Sequence, residues 1–496
     1  MQLTDLLRGA GIDALDIDVA ASIDITSLSV DSTRIAPGTL FAALPGHRTH
    51  GAIHAGGAVA AGAVALITDP QGRQLFGELG VPVVVVDRPR VAVAHLASTL
   101  WGNPATSMTM IGVTGTNGKT TVTHLIQAAL TESGRRCAVM GTLGTSLPGV
   151  VDVPHARTTP EAPDVHSALA VLRDAGADAV AMEVSSIALR EHRVDGIVFD
   201  IAVFTGLSHD HLDYHGSMDA YFEAKADLFS PQHAGQAVVV IDDPWGQVLR
   251  ERLHIPVITV TTTGAQADWR ASVDGDRVTI DGLESFEVRL PVPTNFAAAN
   301  LLTSIAVASI LGIPAQFAAQ AAVQARVPGR MELVRSVGDV DFVVDYAHTP
   351  DAIRQVIAAA ATSRRSRGGR VIAVLGAGGD RDAGKRGEMG RAAAAGADQL
   401  FVTDDNPRSE DPGSIRLAVL AGTNGTTCQV SEIADRREAI GAAVHAAQPN
   451  DIVLVLGKGH EASQEFAGHV LAFDDRLVLA SFVEARYGET KEDGRR

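Results

Sequence analysis

Short apolar segments alternate with alanine-rich, helix-forming segments along most of the chain. Unbroken apolar runs of about five residues are typical of strands that are buried on both faces, the kind from which parallel sheets are built. The repeated order of strand, helix and strand therefore predicts α/β domains, with helices covering the faces of parallel sheets. A chain of 496 residues is too long for a single hydrophobic core, and we expect three domains.

The pattern divides the chain into three blocks, at residues 1–104, 105–328 and 329–496. The first block has predicted strands at residues 38–44, 63–68 and 83–87 and predicted helices at 54–61 and 91–100. The second has predicted strands at 110–113, 179–184 and 201–204 and ends in a long apolar helix at 295–311. The third has predicted strands at 342–345, 371–375, 399–403 and 452–456, which alternate with predicted helices.

Residues 111–121 read IGVTGTNGKTT and predict a strand, a glycine-rich turn and the start of a helix. In that arrangement, backbone N–H groups and the helix N-terminus bind phosphate. Lys119 can reach the terminal phosphates of a nucleotide, and the Thr120 hydroxyl can bind Mg²⁺. The strict phosphate-loop pattern has glycine where this chain has Val113, but the intact Gly-Lys-Thr favours a triphosphate site over an ordinary turn of small residues.

Possible metal ligands follow in the second block. Glu183 ends a predicted strand near the glycine-rich turn 115–118, which we call the phosphate loop. Residues 209–215 contain three histidines and two aspartates. Such a cluster could bind zinc, but oxygen ligands for Mg²⁺ fit a nucleotide site better. Each of these residues alone, and Lys225 in the predicted helix that follows, is more simply explained as solvated or structural. Only their combination indicates catalysis.

In the third block, four predicted strands each end in a charged turn. These turns are residues 345–348, 376–382, 404–408 and 457–461. The carboxyl ends of parallel strands share one edge of a sheet, where ligands bind. Arg386 and Arg408 are suited to binding a carboxylate, and Glu461 to binding an ammonium group. Each turn alone could be an ordinary strand end; together they fit an amino-acid substrate.

Composition narrows the classes of function. The net charge of −17 disfavours nucleic acid as a partner. No apolar run approaches the roughly 20 residues that a membrane span needs. The acidic N-terminus does not resemble a secretory signal, and Cys137 and Cys428 form no disulfide framework, so we expect a cytoplasmic protein. We also expect a monomer.

Together these motifs resemble those of the Mur ligases. They follow the order TGTNGKTT, MEVSS, DHLDYHG, YFEAKADLF, VPGRME, DYAHTPDA, GAGGDRDAGKR, DNPRSEDP and GKGHE, and they span nearly the whole chain. The resemblance is closest to the members that add 2,6-diaminopimelate. It implies an N-terminal α/β domain that binds a UDP-linked substrate, a central P-loop ATPase domain with a parallel sheet, and a C-terminal Rossmann-like domain that binds an amino acid.

The resemblance also implies a reaction in peptidoglycan precursor synthesis. ATP would phosphorylate the D-Glu γ-carboxylate of UDP-N-acetylmuramoyl-L-Ala-D-Glu, and the amine of meso-diaminopimelate would displace phosphate from the acyl phosphate. Lys119, Lys225, Glu183 and His211 would be the catalytic residues. Mg²⁺ would be held by Thr120, Glu183, His211 and Lys225, the last after its carbamylation by CO₂.

By the same resemblance, each substrate has its own set of residues. ATP would be bound by Gly115, Thr116, Asn117, Gly118, Lys119, Thr120, Thr121, Asn300, Arg330, Asp345 and His348. The UDP-linked peptide would be bound by Val30, Ser32, His47, Arg48, Thr49, Thr158, Thr159, Ser185, Glu191 and Arg193. Diaminopimelate would be bound by Arg386, Asp405, Asn406, Pro407, Arg408, Gly457 and Glu461.

Arg408 indicates which amino acid is added. The lysine-adding members lack arginine at this position, and diaminopimelate has a second carboxylate that would be costly to bury unpaired. The chain departs from the family's usual residues at four positions. Ile187 replaces histidine, Glu191 replaces glutamine, and Gly206 and Ala297 each replace asparagine. None of the four is an expected phosphate or metal ligand.

Other functions are consistent with parts of the pattern. A ligase that adds D-Ala-D-Ala, or a folylpolyglutamate synthase, is disfavoured by the DNPR and GKGHE motifs. A phosphotransferase that stops at phosphate transfer would not need three domains that each bind a substrate. A catalytically silent nucleotide-binding scaffold would not need Lys119, Glu183, His211 and Lys225 together.

Overall fold

The computed structural model describes residues 1–13, 16–17, 22–46, 49–155, 157–275, 277–290, 294–365 and 368–488. His47 and Arg48, two of the residues expected to bind the UDP-linked substrate, lie outside these ranges. Within the described ranges, the strands form three main sheets, one in each predicted block. The predicted α/β class with three domains is therefore confirmed, while the boundaries between the domains stay predictions.

The N-terminal sheet has five strands, in the order Asp16–Ile17, Val83–Val85, Ala63–Thr68, Thr39–Ala42 and Ser27–Ser29. The first pairs antiparallel with its neighbour and the others pair in parallel. The helices are Leu3–Gly9, Ala55–Ala60, Pro70–Arg73 and Pro89–Leu100, and the 3₁₀ segments are Gly51–His54 and Pro104–Ser107. The predicted elements are present with small shifts at their ends, because side-chain patterns specify an element better than its limits.

The central sheet has eleven strands. Their order is Ser285–Arg289, Arg277–Asp281, Trp269–Asp274, Val257–Thr261, Ala234–Val240, Phe199–Phe204, Thr109–Thr114, Ala179–Glu183, Cys137–Gly141, Gly144–Leu147 and Val151–Val153. The seven strands from Trp269–Asp274 to Cys137–Gly141 are parallel, and antiparallel strands extend both edges. The helical segments are Lys119–Glu132, Ala162–Asp174, Ser186–Arg190, Leu212–His215, Met218–Ala226, Asp227–Phe229 (3₁₀), Pro244–Arg252, Asn295–Ile310 and Ala315–Gln324.

The phosphate loop lies where the strand order of the central sheet reverses. After the strand Thr109–Thr114, the chain adds Cys137–Gly141 on one side and later Phe199–Phe204 on the other. In open α/β sheets, the crevice at such a reversal, beyond the carboxyl ends of the strands, is the usual ligand site. The topology therefore supports the position that the sequence predicted for the triphosphate site.

The apolar helix Asn295–Ile310 holds the phosphate-loop helix in place. Its residues from Ala298 to Ala308 are buried in a core shared with the helices Lys119–Glu132 and Ala315–Gln324. A helix that is apolar on all sides must be covered on all sides. Its burial therefore fixes the helix that begins at the phosphate loop against the sheet.

The C-terminal sheet has six strands, in the order Glu332–Val337, Val340–Asp345, Ile452–Leu456, Val371–Leu375, Gln399–Val402 and Gln429–Glu432. The first is antiparallel and the rest are parallel. The helices are Pro350–Arg365, Lys385–Ala394, Pro412–Ala421, Arg436–Ala446 and Asp475–Tyr487. The four strands predicted to end in charged turns are neighbours, so their turns meet at one edge of the sheet.

A hairpin of the strands Ser463–Phe466 and His469–Ala472 follows the last parallel strand and forms a sheet of its own. Its second strand is exposed along its whole length, and its first lies beside Arg408. The sequence analysis did not identify this hairpin. A strand that buries no side chains leaves no alternation of apolar and polar residues to detect.

Arg436 and Asp475 form a fully buried ion pair behind the carboxyl edge of the C-terminal sheet. Arg436 Nε and Nη2 lie 2.8 and 2.7 Å from the two carboxylate oxygens of Asp475, and Nη2 also donates to Leu456 O at 2.9 Å. Because water reaches neither side chain, neutralising one of them leaves the other charge uncompensated.

We expect Asp475→Asn to lower the free energy of unfolding by about 3–5 kcal/mol, the usual cost of breaking a buried ion pair. Urea unfolding followed by circular dichroism measures the change. Asp5→Asn is the control, since Asp5 pairs with Arg8 at the surface. A loss no larger than that of the control would show that backbone carbonyls alone are enough to accommodate the Arg436 guanidinium.

Candidate active site

A cavity of about 1300 Å³ lies between the central and C-terminal sheets. Its wall includes the phosphate loop and the charged turns of the C-terminal sheet. The residues expected to bind ATP that line it are Thr116, Asn117, Gly118, Lys119, Thr120, Thr121, Asn300, Arg330, Asp345 and His348. Gly115, the first residue of the loop, is buried. The structure therefore joins the predicted phosphate site and the predicted amino-acid site in one space.

Gly118 ends the phosphate loop in the left-handed conformation, with a φ of 86°, and the helix Lys119–Glu132 starts directly after it. Lys119 Nζ donates to the carbonyl oxygens of Gly115 and Thr116, each at 2.9 Å. Burial lowers the pKa of Lys119. A phosphate in the loop would offer this ammonium group anionic oxygens in place of neutral carbonyls, and hydrogen bonds to anionic oxygens are stronger.

Glu183 is buried beside the phosphate loop. Its Oε1 accepts hydrogen bonds from Thr120 Oγ1 at 2.9 Å and Thr142 N at 2.8 Å, and its Oε2 accepts one from Thr142 Oγ1 at 3.1 Å. Arg330, which belongs to the third block, donates to Thr120 Oγ1 at 3.0 Å. The Thr120 hydroxyl, in the first turn of the helix, thus connects a carboxylate of the central domain with a cation of the C-terminal domain.

Lys225 is buried under the phosphate loop. The residue is 1% exposed, its Nζ donates to Gly115 O at 2.8 Å, and the same atom lies 4.6 Å from the centre of the Tyr221 ring. Burial, together with the nearby Lys119 ammonium, lowers the pKa of Lys225 well below its usual range. The ordinary interpretation of a solvated helix lysine is therefore wrong for this residue.

Asp210 connects the histidine-rich loop of the central domain to the C-terminal domain. Its Oδ1 lies 3.4 Å from Lys385 Nζ, and its Oδ2 lies 3.5 Å from His211 Nε2. Burial alone would raise the pKa of Asp210, but the neighbouring His211 and Lys385 lower it below its usual range. Asp210 and Lys385 are 175 positions apart. The sequence analysis did not connect them, because no signal along the chain marks a contact at that separation.

Aromatic rings gather at the junction of the two domains. The Arg330 guanidinium carbon lies 4.2 Å from the centre of the Tyr346 ring, which also packs against His348 and His460. Burial lowers the pKa of His348 to about 4, so its ring is neutral at pH 7. Asp345 accepts hydrogen bonds from two backbone N–H groups, at 2.6 and 2.7 Å. These flat, uncharged rings offer a surface on which a nucleoside can pack.

The turns 404–408 and 457–461 share a network of polar side chains. Asn406 Nδ2 donates to Glu461 Oε2 at 2.8 Å, and Lys458 Nζ lies 3.1 Å from Asn406 Oδ1 and 3.2 Å from Glu461 Oε2. Lys458 is fully buried, so it holds Glu461 in place at the cavity wall. The expected diaminopimelate-binding residues that line the cavity are Arg386, Asp405, Asn406, Arg408, Gly457 and Glu461, and the one outside its wall is Pro407.

Arg386 is already paired within the protein. Its Nη1 and Nη2 each lie 2.8 Å from a carboxylate oxygen of Glu410, and Nη2 also donates to Gly378 O at 3.2 Å. Arg381, in the turn that precedes the helix of Arg386, lines the cavity too. Its hydrogen bond within the described part of the chain is to Asp380 O, at 3.2 Å. The structure thus adds Arg381 as a carboxylate-binding candidate that the sequence analysis did not name.

Four residues expected to bind the muramoyl-peptide also line the cavity, namely Thr158, Thr159, Ser185 and Arg193. Thr159 Oγ1 donates to Glu183 O at 2.9 Å and accepts from Ser185 N at 3.1 Å, and Arg193 Nη1 donates to Thr159 O at 3.2 Å. These bonds hold Thr159, Ser185 and Arg193 next to the strand that ends at the proposed metal ligand Glu183, and Thr158 Oγ1 lies 3.0 Å from Thr142 Oγ1.

The residues expected to bind the uridine end lie elsewhere. Val30 lines a separate small crevice between the helix Pro89–Leu100 and the central domain, and Glu191, which is expected at the peptide end, lines it too. Ser32 and Thr49 border neither this crevice nor the main cavity. The structure does not bring these residues to the main cavity, so this part of the substrate site stays a prediction.

Three of the four unusual residues affect the surroundings of the cavity. Glu191 accepts a hydrogen bond from Tyr214 OH at 2.7 Å and pairs with Arg90 at 2.8 Å, which connects the N-terminal domain with the histidine-rich loop. Ile187 and Ala297 line the cavity. Their side chains make its wall more apolar than histidine and asparagine would.

The donor atoms beside the phosphate loop fit Mg²⁺ better than zinc. Within the described ranges, no three histidine, cysteine, aspartate or glutamate side chains come together at metal-binding spacing. The Thr120 hydroxyl and the Glu183 carboxylate lie 2.9 Å apart, and hard oxygen donors of this kind, completed by phosphate oxygens, suit Mg²⁺. His211 lines the same cavity.

Three domain families match successive parts of the chain. The Mur ligase family, catalytic domain, matches residues 24–101, the Mur ligase middle domain matches residues 113–308, and the Mur ligase, glutamate ligase domain matches residues 329–459. Each match overlaps one of the three main sheets.

Whole-chain relatives agree with these domain matches. The chain is 41% identical over 503 residues to the UDP-N-acetylmuramoyl-L-alanyl-D-glutamate--2,6-diaminopimelate ligase of Streptomyces coelicolor, covering 98% of this chain and 97% of the relative. A solved structure of a ligase of the same name has a TM-score of 0.68 and 33% identity, covering 98% of this chain and 99% of that one. The MurF ligase of Thermotoga maritima, solved in complex with ADP, has a TM-score of 0.61 and 20% identity, covering 93% and 96%, which is a likeness of fold alone.

Proposed function

The chain belongs to the Mur ligase family, and we propose that it joins meso-2,6-diaminopimelate to UDP-N-acetylmuramoyl-L-Ala-D-Glu, converting ATP to ADP and phosphate. It is an acid–amino-acid ligase of peptidoglycan precursor synthesis, and the new amide forms on the D-Glu γ-carboxylate. The shared cavity carries the proposal, because the phosphate loop and the amino-acid turns face one space in which both halves of the reaction can occur.

The order of steps follows from the chemistry of the carboxylate. A carboxylate is a poor electrophile, so the γ-phosphoryl group of ATP is first transferred to it, which gives an acyl phosphate and ADP. The free amine of diaminopimelate then attacks the carbonyl carbon, the C–O bond to phosphate breaks, and the amine loses a proton as the amide forms. Most of the catalysis in such a transfer comes from positioning and from neutralising the charge of the phosphoryl group.

The cations around the cavity are placed where they could neutralise the charge of the phosphoryl group. Lys119 directly follows the phosphate loop, Arg330 reaches Thr120 from the C-terminal domain, and Lys385 faces Asp210. Lys119 and Arg330 would bind the phosphates of ATP. Their approach from two domains means that the nucleotide would hold those domains together.

The side-chain oxygens of Thr120 and Glu183 would hold Mg²⁺, together with His211 and the modified Lys225. The ion would neutralise charge on the phosphoryl oxygens during transfer. Glu183 is already oriented for this role by Thr142, which donates to both of its carboxylate oxygens.

The proposal includes a carbamate on Lys225. The neutral amine attacks the carbon of CO₂, an N–C bond forms and one proton leaves, so the side chain ends in an anionic carboxylate. The burial of Lys225 favours the neutral, reactive amine. The anionic product would also attract the neighbouring Lys119 ammonium, which stabilises it.

Glu461 and Arg408 would bind groups of opposite charge on diaminopimelate. Glu461, held by Asn406 and Lys458, would accept hydrogen bonds from an ammonium group. Arg408 would bind the second carboxylate, which lysine lacks. Asp405, Pro407 and Gly457 would shape the turns that carry these side chains.

We propose Arg381 for the carboxylate-binding role that the sequence analysis gave to Arg386, because Arg386, on the helix Lys385–Ala394, already pairs with Glu410. We expect Arg381→Ala to raise the KM for diaminopimelate by about tenfold, the effect of one lost charge-assisted contact, and to leave the KM for ATP unchanged. Arg386→Ala should instead lower the free energy of unfolding. Steady-state kinetics and urea unfolding of both variants distinguish the roles, and a raised KM with normal stability in Arg386→Ala would reverse the assignment.

The UDP-linked peptide would extend from the main cavity to the N-terminal domain. Its peptide end would be bound by Thr158, Thr159, Ser185, Glu191 and Arg193, and its uridine end by Val30, Ser32, His47, Arg48 and Thr49. The hydrogen bonds that place Thr159 and Arg193 beside the strand of Glu183 support the first assignment.

We further propose that the enzyme is a cytoplasmic monomer and that its product supports cell shape and division through cell-wall growth. The resemblance to the family supports this location. As a separate observation, the described helices include none that is both long and apolar enough to cross a membrane.

The test is phosphate release by the purified protein with ATP, Mg²⁺ and UDP-N-acetylmuramoyl-L-Ala-D-Glu, adding meso-diaminopimelate or L-lysine in turn. We expect release that depends on diaminopimelate and a product heavier by one residue in mass spectrometry. Release with lysine alone would keep the ligase activity and overturn the role of Arg408. No release with either amino acid would indicate a silent nucleotide-binding protein.

A further inference from the structure

Arg408 has a backbone conformation that needs support from its surroundings. Its φ is 52°, in the left-handed region where a side chain crowds the backbone. The residue before it, Pro407, is packed tightly against the turn 376–382, since a Cβ on Gly379 would lie 1.9 Å from Pro407 O. Contacts from neighbouring residues must therefore hold this turn in its observed form.

The hairpin of residues 463–472 supplies that support, mainly through Glu465. The backbone carbonyl of Glu465 accepts from Arg408 N at 3.0 Å, and Ala467 N donates to Arg408 O at 2.6 Å. The backbone N–H of Glu465 donates to Asn406 Oδ1 at 3.0 Å. One hairpin residue thus contacts two of the residues expected to bind the amino acid.

The side chains of Glu465 and Arg408 meet as well. Arg408 Nη1 donates to Gly379 O at 2.6 Å, and Arg408 Nε lies 3.5 Å from Glu465 Oε2. In the part of the chain that the structure describes, Arg408 Nη2 has no hydrogen-bond acceptor. Arg408 lines the cavity and Glu465 does not. The carboxylate therefore contacts the guanidinium outside the cavity and leaves Nη2 for a ligand.

We propose that Glu465 is a positioning residue, which fixes the Arg408 guanidinium for the second carboxylate of the amino-acid substrate. An arginine side chain that is already ordered loses less conformational entropy when it binds a ligand. Glu465 thereby contributes to the selection of a dicarboxylic amino acid over lysine, although it does not contact the substrate. This inference rests on the proposed function and names a residue that determines its specificity.

The test is the affinity for meso-diaminopimelate, measured by calorimetry on the full-length protein, with the KM measured in parallel. Glu465→Ala keeps the backbone contacts and removes the carboxylate, so we expect it to weaken diaminopimelate binding by about five- to tenfold and to leave the KM for ATP unchanged. Glu465→Gln keeps an acceptor for Arg408 Nε and should bind within about twofold of the wild type.

A matched control and a second background separate positioning from a general structural effect. Glu432 pairs with Arg416 Nε at 2.7 Å, is 40% exposed in its side chain against 42% for Glu465, and lies outside the cavity wall. Glu432→Ala should leave diaminopimelate binding unchanged. In an Arg408→Ala background, Glu465→Ala should have no further effect, because its action passes through the guanidinium.

The outcomes distinguish this inference from the proposed function. Wild-type affinity in Glu465→Ala, or an equal loss in the Arg408→Ala background, would overturn the positioning role alone. A wild-type protein that binds diaminopimelate without turning it over would overturn the proposed function, and the binding series would still decide the role of Glu465. A wild-type protein that does not bind diaminopimelate would overturn both.

Discussion

Lys225→Ala is expected to lower turnover by at least about a hundredfold, the scale of effect seen when one electrostatic contact to a transition state is removed. The wild-type side chain is buried under the phosphate loop and donates to Gly115 O. Carbamylation would turn its end into a carboxylate next to the proposed metal ligands. Alanine can neither form that carboxylate nor replace it, so we expect excess bicarbonate not to rescue the variant.

The measurement is the steady-state rate of phosphate release, with circular dichroism to check that the variant is folded. Glu223→Gln is the matched control, because Glu223 lies on the same helix but its side chain is 55% exposed and pairs with Arg252. The control should retain wild-type activity. Carbon-13 NMR of wild-type protein in labelled bicarbonate should show a carbamate signal that is lost in Lys225→Ala.

Two results would contradict this role for Lys225. Wild-type-like turnover in the folded variant would show that the lysine is not needed for catalysis. A large loss of activity without any carbamate signal in the wild type would show that Lys225 acts as an unmodified amine, through its contact with Gly115 O.

Arg408→Ala is expected to raise the KM for meso-diaminopimelate by about ten- to a hundredfold, because the second carboxylate would lose a charge-assisted partner. The KM for ATP should change little, since Arg408 lies on a C-terminal turn and the phosphates would be bound at the loop of the central domain. Lysine has no second carboxylate to leave unpaired. The variant should therefore discriminate less between the two amino acids.

Steady-state kinetics with each amino acid in turn, at saturating concentrations of the other substrates, measure this effect. Arg416→Ala is the control, since Arg416 is a largely buried arginine on the helix Pro412–Ala421 of the same domain, pairs with Asp404 and Glu432, and lies outside the cavity. Equal increases in the KM values for ATP and diaminopimelate would mean that the turn around Arg408 is structural.

Features that depend on neighbouring residues could be predicted from the sequence. The strand at Thr109–Thr114, the glycine turn after it and the helix that starts at Lys119 are encoded within about a dozen residues, by apolar runs and glycine. The common edge of the four charged turns was also predictable. Parallel strands joined by helices must all end on the same side of their sheet.

Features that depend on what covers a side chain in the folded protein could not be predicted from the local pattern. The hairpin 463–472 buries little, so its sequence carries no clear periodicity. Lys225 looked like a solvated helix residue, because a helix pattern shows which faces are apolar and not what will cover a single polar position. Its burial under the phosphate loop depends on how that helix packs.

The sequence by itself determined the fold class, the phosphate loop and the family of this protein, since each is encoded in contiguous motifs. Tertiary structure decided which charged residues face the cavity and which are already paired. Arg386 is held by Glu410, Asp210 meets Lys385 across 175 positions, and Glu465 reaches Arg408 from a separate hairpin. An ion pair depends only on distance in space, and distance in space between remote segments is set by the packing of whole domains.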